Sequence, residues 1–277
     1  IVESYEYIDN RDGHLKYENG GKPIFYENPG DIFANKDPRM RGTILCNGDV
    51  FAGMEIIYQA GQYYYQGGRW KTRTGNSGST DKMGNVITSV NGPEYTTTWG
   101  ANKSGFNFRK FLSDDPGEYV RSRNSVIAFP YFRYAEVVLI ASEAALELNN
   151  KAEALKDINM IRERAGLHDL TDMTLLDIEQ ERRVEFPLEN HRWWDLKRWR
   201  RAHIVWDGVS ENSMHYTLFP YRVVDPRRPK ENGKWVYVRG ESPIRKAARQ
   251  FQLRDYYNEV DPGWMSNNPK LVKNPYQ

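Results

Sequence analysis

The chain has 277 residues and a mass of 32.4 kDa, one large domain or two small ones by length, and enough to bury a core without disulfide or metal staples. Lys plus Arg (39) nearly balances Asp plus Glu (37) for a formal charge of +2, which argues against a nucleic-acid binder. Mean hydropathy is −0.78, no run reaches the roughly 18 apolar residues of a membrane helix, and the single cysteine, Cys46, allows no internal disulfide.

Residues 1–130 read as loops with short strands. Seventeen of the 22 glycines fall before residue 126, and glycine weakens helix interiors while marking turns. Gly20-Gly21, Asn28-Pro29-Gly30, Asn47-Gly48, Gly67-Gly68 and Asn91-Gly92-Pro93 are breakers. Thr43-Ile44-Leu45-Cys46 predicts a strand, with Cys46 a core residue rather than a nucleophile. Residues 71–85 are polar and predict a surface loop. Between them lies an aromatic group, Tyr58, Tyr63, Tyr64, Tyr65 and Trp70, set among Gly and Gln. Rings of this kind stack on flat apolar faces, and Arg69, Gln62 and Gln66 would supply polar contacts. The competing reading is that the rings pack a loop onto the helices; in an extended Tyr63-Tyr64-Tyr65, alternation sends at least one ring to the core.

Residues 131–202 predict the helical core. Phe132, Ala135, Leu139, Ser142 and Leu146 form one helix face, and Asn149-Asn150 supplies its left-handed end. Ala152, Leu155, Ile158 and Ile161 form a second face that stops at Gly166. The two make an antiparallel helical hairpin of tetratricopeptide length. Their apolar faces exceed what the first 125 residues can cover, so the chain alone is expected to be marginal in stability. A third helix starts at the Thr174 capping box and ends at Pro187 and Asn190; a fourth covers about Trp193–Ala202 and buries Trp199. Glu181, Glu185 and Glu189 share a face and are expected to pair with Arg182, Arg183 and Arg192 in a structural ion network. His191, Asp195 and Glu189 make a poor metal set, since no second histidine stands at helical spacing. Residues 203–277 read as an irregular tail packed on the core, the whole forming one unit.

Several stretches then match a known family together. Phe132-Arg133-Tyr134-Ala135-Glu136-Val137-Val138-Leu139-Ile140, followed by Ser142-Glu143-Ala144, resembles the RYAEVLLMYAEA signature of SusD/RagB nutrient-binding lipoproteins. Ile158-Asn159 through Arg162, Arg164-Ala165-Gly166-Leu167 resembles their IN-x-x-R-x-RAGL helix. Glu181-Arg182-Arg183-Val184-Glu185-Phe186 and Glu189-Asn190-His191-Arg192-Trp193-Trp194-Asp195-Leu196-Lys197-Arg198-Trp199 resemble the ERR-x-E and EGHR-x-x-DL-x-RW stretches. Asp37-Pro38-Arg39 is similar to a DPR motif, and Asn267-Asn268-Pro269 with Asn274-Pro275-Tyr276 to the family terminus. Asn190 for glycine, Asn149-Asn150 for Leu-Gly and Pro187 are conformational departures.

The resemblance implies a mainly α fold of tetratricopeptide-like helix pairs with a loop-rich binding part. It implies non-catalytic binding of a glycan or other nutrient on the outer membrane of a Gram-negative cell. The partner implied is a SusC-like TonB-dependent transporter, and the membrane link a lipid anchor on an N-terminal part that this chain lacks. With Ile1 first and no leader-like segment, the expectation is a C-terminal region of a longer protein. Two other readings stand beside it: a tetratricopeptide-like adaptor for a protein ligand, and a glycan-active enzyme with paired carboxylates. The ligand site is expected on the loop 58–70, with Trp70 and Tyr64 stacking, Arg69 meeting hydroxyls and Trp99 as a second wall; no cofactor or metal is expected.

Overall fold

The four consecutive helices of residues 134–198 follow from their apolar spacing and their caps. A computed structural model describes residues 1–94, 102–115, 127–242 and 247–276. In chain order it runs β1 (Glu18–Asn19), β2 (Lys22–Pro23), α1 (Arg39–Thr43), β3 (Ile44–Leu45), β4 (Asp49–Phe51), β5 (Met54–Ile56), β6 (Gly61–Gln66), β7 (Arg69–Thr74) and β8 (Asn107–Phe108). Then come α2 (Tyr134–Glu147), α3 (Lys151–Arg164), α4 (Leu175–Glu185), α5 (His191–Arg198), α6 (Ala202–Val205), β9 (Tyr216–Val223), β10 (Trp235–Glu241) and α7 (Pro262–Asn267). Helix is concentrated between residues 134 and 205; strand and irregular structure fill most of the rest.

The chain divides into two compact units, residues 1–191 with 217–240 and residues 192–216 with 241–277. In the first unit α2 and α3 pack as the expected hairpin, and α2 also packs on α4. Asn149 takes φ 59° to end α2, and the Asn150 side chain accepts from Glu153 N to start α3. Thr174 and Asp177 form the capping box of α4, and Gly166 (φ 75°) and Asn190 (φ 64°) occupy left-handed positions after α3 and α4. Asn159 bonds Leu170 in both directions, and Arg162 Nε donates to His168 O, so the segment after α3 folds back onto it.

On the helix pair Leu139 and Ile158 are fully buried, as is Ile178 of α4, while Leu146 and Leu155 are half-buried. The uncovered apolar side of α2 is another one, carrying Tyr134 (71% exposed), Val137, Ile140 and Leu148 (79%). Amphipathic periodicity locates a buried stripe; it cannot tell which flank a neighbouring helix reaches.

The tail is not irregular throughout. β9 and β10 belong to a four-stranded sheet of order β10-β9-β6-β7, in which β6 runs parallel to β9 and antiparallel to β7. Pro220 hid β9 in the sequence, because a central strand rarely tolerates proline. Here Pro220 O still accepts from Ala60 N at 2.7 Å, and the ladder to β6 continues at the pair Gly61 and Tyr221. The adjoining core gathers Tyr5, Met40, Ile44, Cys46, Val184, Trp235 and Tyr237. Cys46 is fully buried, and that burial pushes its thiol up to about 12, far from reactive thiolate behaviour.

In the second unit α5 continues into α6, and Leu196, Ala202 and Phe251 form a small core with Val205, Trp206 and Tyr256 packed against it. Trp199 is half-buried under the Arg198 guanidinium, 4.4 Å from its ring, rather than fully enclosed.

Candidate functional site

The aromatic stretch is a β-hairpin, not a loop. Gly67 (φ 63°) and Gly68 (φ 80°) form its two-residue turn, a backbone that both central residues can adopt without strain only when they lack a bulky Cβ. The turn fixes the register: Gln66 opposite Arg69, Tyr65 opposite Trp70, Tyr64 opposite Lys71 and Tyr63 opposite Thr72. Side chains alternate across a strand, so Tyr63, Tyr65 and Trp70 share one face, and Tyr64, Gln66, Arg69 and Lys71 share the other.

The first face is a ring cluster. Tyr63 stacks on Trp70 with centroids 5.0 Å apart and planes 13° apart, and Tyr65 meets Trp70 edge-on at 5.3 Å. Phe25 reaches the same indole at 5.3 Å. Arg228 lays its guanidinium 3.7 Å from the Tyr65 centroid and 5.3 Å from that of Trp70, a cation–π arrangement that holds both rings. Asp225 fixes the segment that carries Arg228: it accepts from Tyr65 N (3.1 Å) and Arg227 Nε (2.9 Å), and Arg227 Nη2 donates to Tyr65 O (2.8 Å). The Arg227 hydrogen bond holds the Asp225 carboxyl below its ordinary range. Beside the hairpin end an open cleft of about 580 Å³ is lined by Tyr65, Gly67, Asp225, Arg227 and Arg228, among others.

The expected residues therefore separate. Trp70 sits in the ring cluster, half-buried. Tyr64 is half-buried on the opposite face, so it cannot form one wall with Trp70. Arg69 is exposed beside the turn, opposite Gln66, whose side chain accepts from Lys71 Nζ at 3.1 Å. Trp99 lies outside the described residues. Tyr58 is a core ring whose hydroxyl accepts from Asn107 Nδ2 at 3.1 Å, and Gln62 is buried on Asp81 and Val86 O. Tyr63 and Tyr65 were recoverable from the sequence by counting outward from Gly67-Gly68 as a hairpin turn. Phe25, Asp225 and Arg228 carried no such signal, since they arrive from some 40 and 160 residues away.

Glu181 and Glu185 of α4, and Glu189 in the turn after it, have partners from distant parts of the chain. Glu181 accepts from Arg39 Nη1 (2.5 Å) and Arg162 Nη1 (3.3 Å); Glu185 from Arg39 Nη1 (2.9 Å), Arg133 Nη1 (2.6 Å) and Arg164; Glu189 from Arg133 Nε (2.7 Å) and Lys110. Arg39 also grips Asp37 at 2.7 Å, and Arg162 grips Glu6 at 2.6 Å. The ion network that the sequence points to thus also draws cations from other parts of the chain, Arg39, Lys110, Arg133, Arg162 and Arg164. Burial pushes the Glu185 carboxyl up, yet hydrogen bonds from Arg164, Arg133 and Arg39 outweigh it and hold the group at about 2. Glu189 is lowered in the same way by Arg133 and Lys110. Of the weak metal set, Glu189 is thus engaged, Asp195 takes Arg198 Nε at 3.0 Å, and His191 packs on Phe186 with Nδ1 3.6 Å from Glu136.

A hairpin of stacked rings thus stands beside a polar cleft, in a unit whose interior is closed by buried ion pairs. The SusD family model matches residues 1–276, and the chain belongs to that family. A SusD-like protein of Bacteroides ovatus is 37% identical over 91 residues, 32% of this chain and 17% of its own length. A SusD-like protein of Formosa agariphila is 29% identical over 117 residues, 36% of this chain and 23% of its own. Among solved structures, a SusD-like protein of Bacteroides fragilis superposes with a TM-score of 0.63 at 20% identity, covering 100% of this chain and 46% of its own. A second from the same organism, described as a SusD-like carbohydrate-binding protein, gives 0.55 at 24% identity, covering 96% and 46%. The fold is therefore SusD-like, and the chain spans a little under half the length of these solved relatives. No helix among the described residues is long and apolar enough to cross a membrane.

Proposed function

We propose that this chain is part of a non-catalytic surface glycan-binding protein and that the ligand contacts the Trp70 side of the β6–β7 hairpin. The observation that carries the reading is the Trp70 cluster itself: rings of Tyr63, Tyr65 and Phe25 set the indole, and Arg228 stacks beside it at the edge of an open cleft. Sugar rings offer apolar CH faces to such rings and hydroxyls to arginine and carboxylate. Family membership and the carbohydrate-binding relative support the ligand class. In the full reading, Trp70 and Arg228 hold the sugar and Trp99 adds a wall, while Arg69 and Tyr64 lie on the other face of the hairpin and take no part in this contact. The protein then delivers its ligand to a SusC-like TonB-dependent transporter, held to the outer membrane by a lipid anchor.

The test is calorimetry with cello-, xylo-, malto- and laminari-tetraose. Trp70→Ala and Arg228→Ala are expected to weaken the oligosaccharide that binds by about tenfold, roughly one ring contact's worth, while Tyr64→Ala leaves it unchanged. Wild-type affinity in a correctly folded Trp70→Ala and in Arg228→Ala would move the site away from this face.

A further inference from the structure

The second unit holds an aromatic cleft of its own. Trp193 of α5 is 44% exposed even though Trp206 stacks on it at 5.6 Å with planes 23° apart and Phe251 meets it edge-on at 5.4 Å. These neighbours fix the orientation of the indole without enclosing it. Its apolar area is thus left in water in a set geometry, which packing alone does not require. Beside the rings opens a cleft of about 620 Å³, within the size range of small-ligand sites. Its rim is polar: Arg249, Gln250, Asp255, Asn258 and Glu259, with the Tyr257 ring between them.

The rim is also built. Asp255 accepts from Gln252 N at 2.8 Å and so caps the turn that carries Tyr256 and Tyr257. Arg249 Nη2 donates to Asn212 O at 2.8 Å and Met214 O at 3.2 Å. Arg200 donates to the Tyr257 hydroxyl at 2.9 Å and lies 5.0 Å from its ring centroid. Charges of both signs surround the opening: Asp255 and Glu259, with Arg249 on the rim, Arg200 at Tyr257, Arg254 3.9 Å from Asp255 and Lys197 Nζ 5.5 Å from the Trp193 centroid. Cations that already hold protein partners, Arg249 on two carbonyls and Arg200 on the Tyr257 hydroxyl, are not left to select an anion. Amide, carboxylate and guanidinium groups around paired indoles suit a neutral, polyhydroxylated ring with an apolar face.

We infer that the cleft between Trp193, Trp206 and Tyr257 is a second, weak binding site for a single neutral pyranose unit. It shares its ligand class with the hairpin reading but none of its residues, and it depends on that reading only for the kind of molecule expected.

Fluorotryptophan incorporated at the eight tryptophans gives separate fluorine resonances, assigned with Trp193→Phe, Trp206→Phe and Trp70→Phe. The probes are methyl pyranosides of glucose, galactose and mannose, titrated to about 100 mM, a range suited to millimolar affinity. The Trp193 and Trp206 resonances are expected to move together and saturably with at least one probe. Asn258→Ala with Glu259→Ala, both exposed, should weaken that response by about fivefold or more without changing the unliganded spectrum. Trp70 reports the hairpin independently: a silent Trp70 with responding Trp193 and Trp206 sinks the first reading and keeps this one. Silence at Trp193 and Trp206 with all three probes, or a response untouched by the double substitution, overturns this one.

Discussion

Glu185 shows how much a single side chain can organise. Its carboxylate is 3% exposed and takes three guanidinium partners from three different elements. Removing one member of a buried ion cluster leaves the others desolvated and uncompensated, typically at a cost of about 3–5 kcal/mol. Glu185→Ala should therefore lower the unfolding free energy from urea titration by that order, whereas breaking the exposed Lys156–Glu153 pair should leave it where it is. The same residue predicts acid lability. Its folded-state value, about 2, lies below the unfolded carboxyl value near 4.3. The stabilisation is then complete above the unfolded value and is lost as pH falls toward about 2, a contribution on the order of 3 kcal/mol. Equilibrium unfolding between pH 5 and pH 2, at about constant ionic strength, checks this; a flat profile in that window would contradict it.

Among the elements, the helices were the legible ones. Phe132 to Leu146 and Ala152 to Ile161 repeat at helical spacing, and Asn149, Gly166 and Thr174 sit at the ends because local backbone geometry demands such residues there. Local signals of this kind survive in the sequence. The sheet did not, since the pairing of β6 with β9 joins residues about 160 apart and Pro220 masks the second strand. The site fell between these cases: Trp70 was marked by composition, its neighbours Tyr63 and Tyr65 by alternation about Gly67-Gly68, and Arg228 by nothing local. Gly61 is the position where the hairpin tolerates least. A Cβ there would lie 2.2 Å from Arg73 O and 2.8 Å from the Tyr221 ring, so β6 would have to part from a neighbour on either side. Gly61→Ala is expected to cost about 1–3 kcal/mol through overpacking, while Gly67→Asn, in a turn that accepts asparagine at positive φ, should be nearly silent. Paired thermal melts of the two variants decide it, and equal melting temperatures would mean the strands yield at Gly61.

Across the first unit, the motifs that mark the family turn out to be parts of one object. Asp37 and Arg39, Arg133, Arg162 and Arg164, and Glu181, Glu185 and Glu189 come from stretches spread over 150 residues and meet in a single buried cluster. Arg39 and Glu181 are separated by 142 positions, so the cluster is complete only after the N-terminal segment has docked on α4. Contacts of such long range make folding slow and all-or-none, because loop closure precedes any reward. The native state inherits that property as a shared opening. Amide protons of residues 31–45 and of α4 should exchange with solvent at a common free energy, as one foldon, although they lie far apart in the chain. Arg39→Met should split them, the N-terminal amides exchanging first. If residues 31–45 already exchange far faster than α4 in the unaltered protein, the ion cluster closes the interior without tying its two ends into one cooperative event.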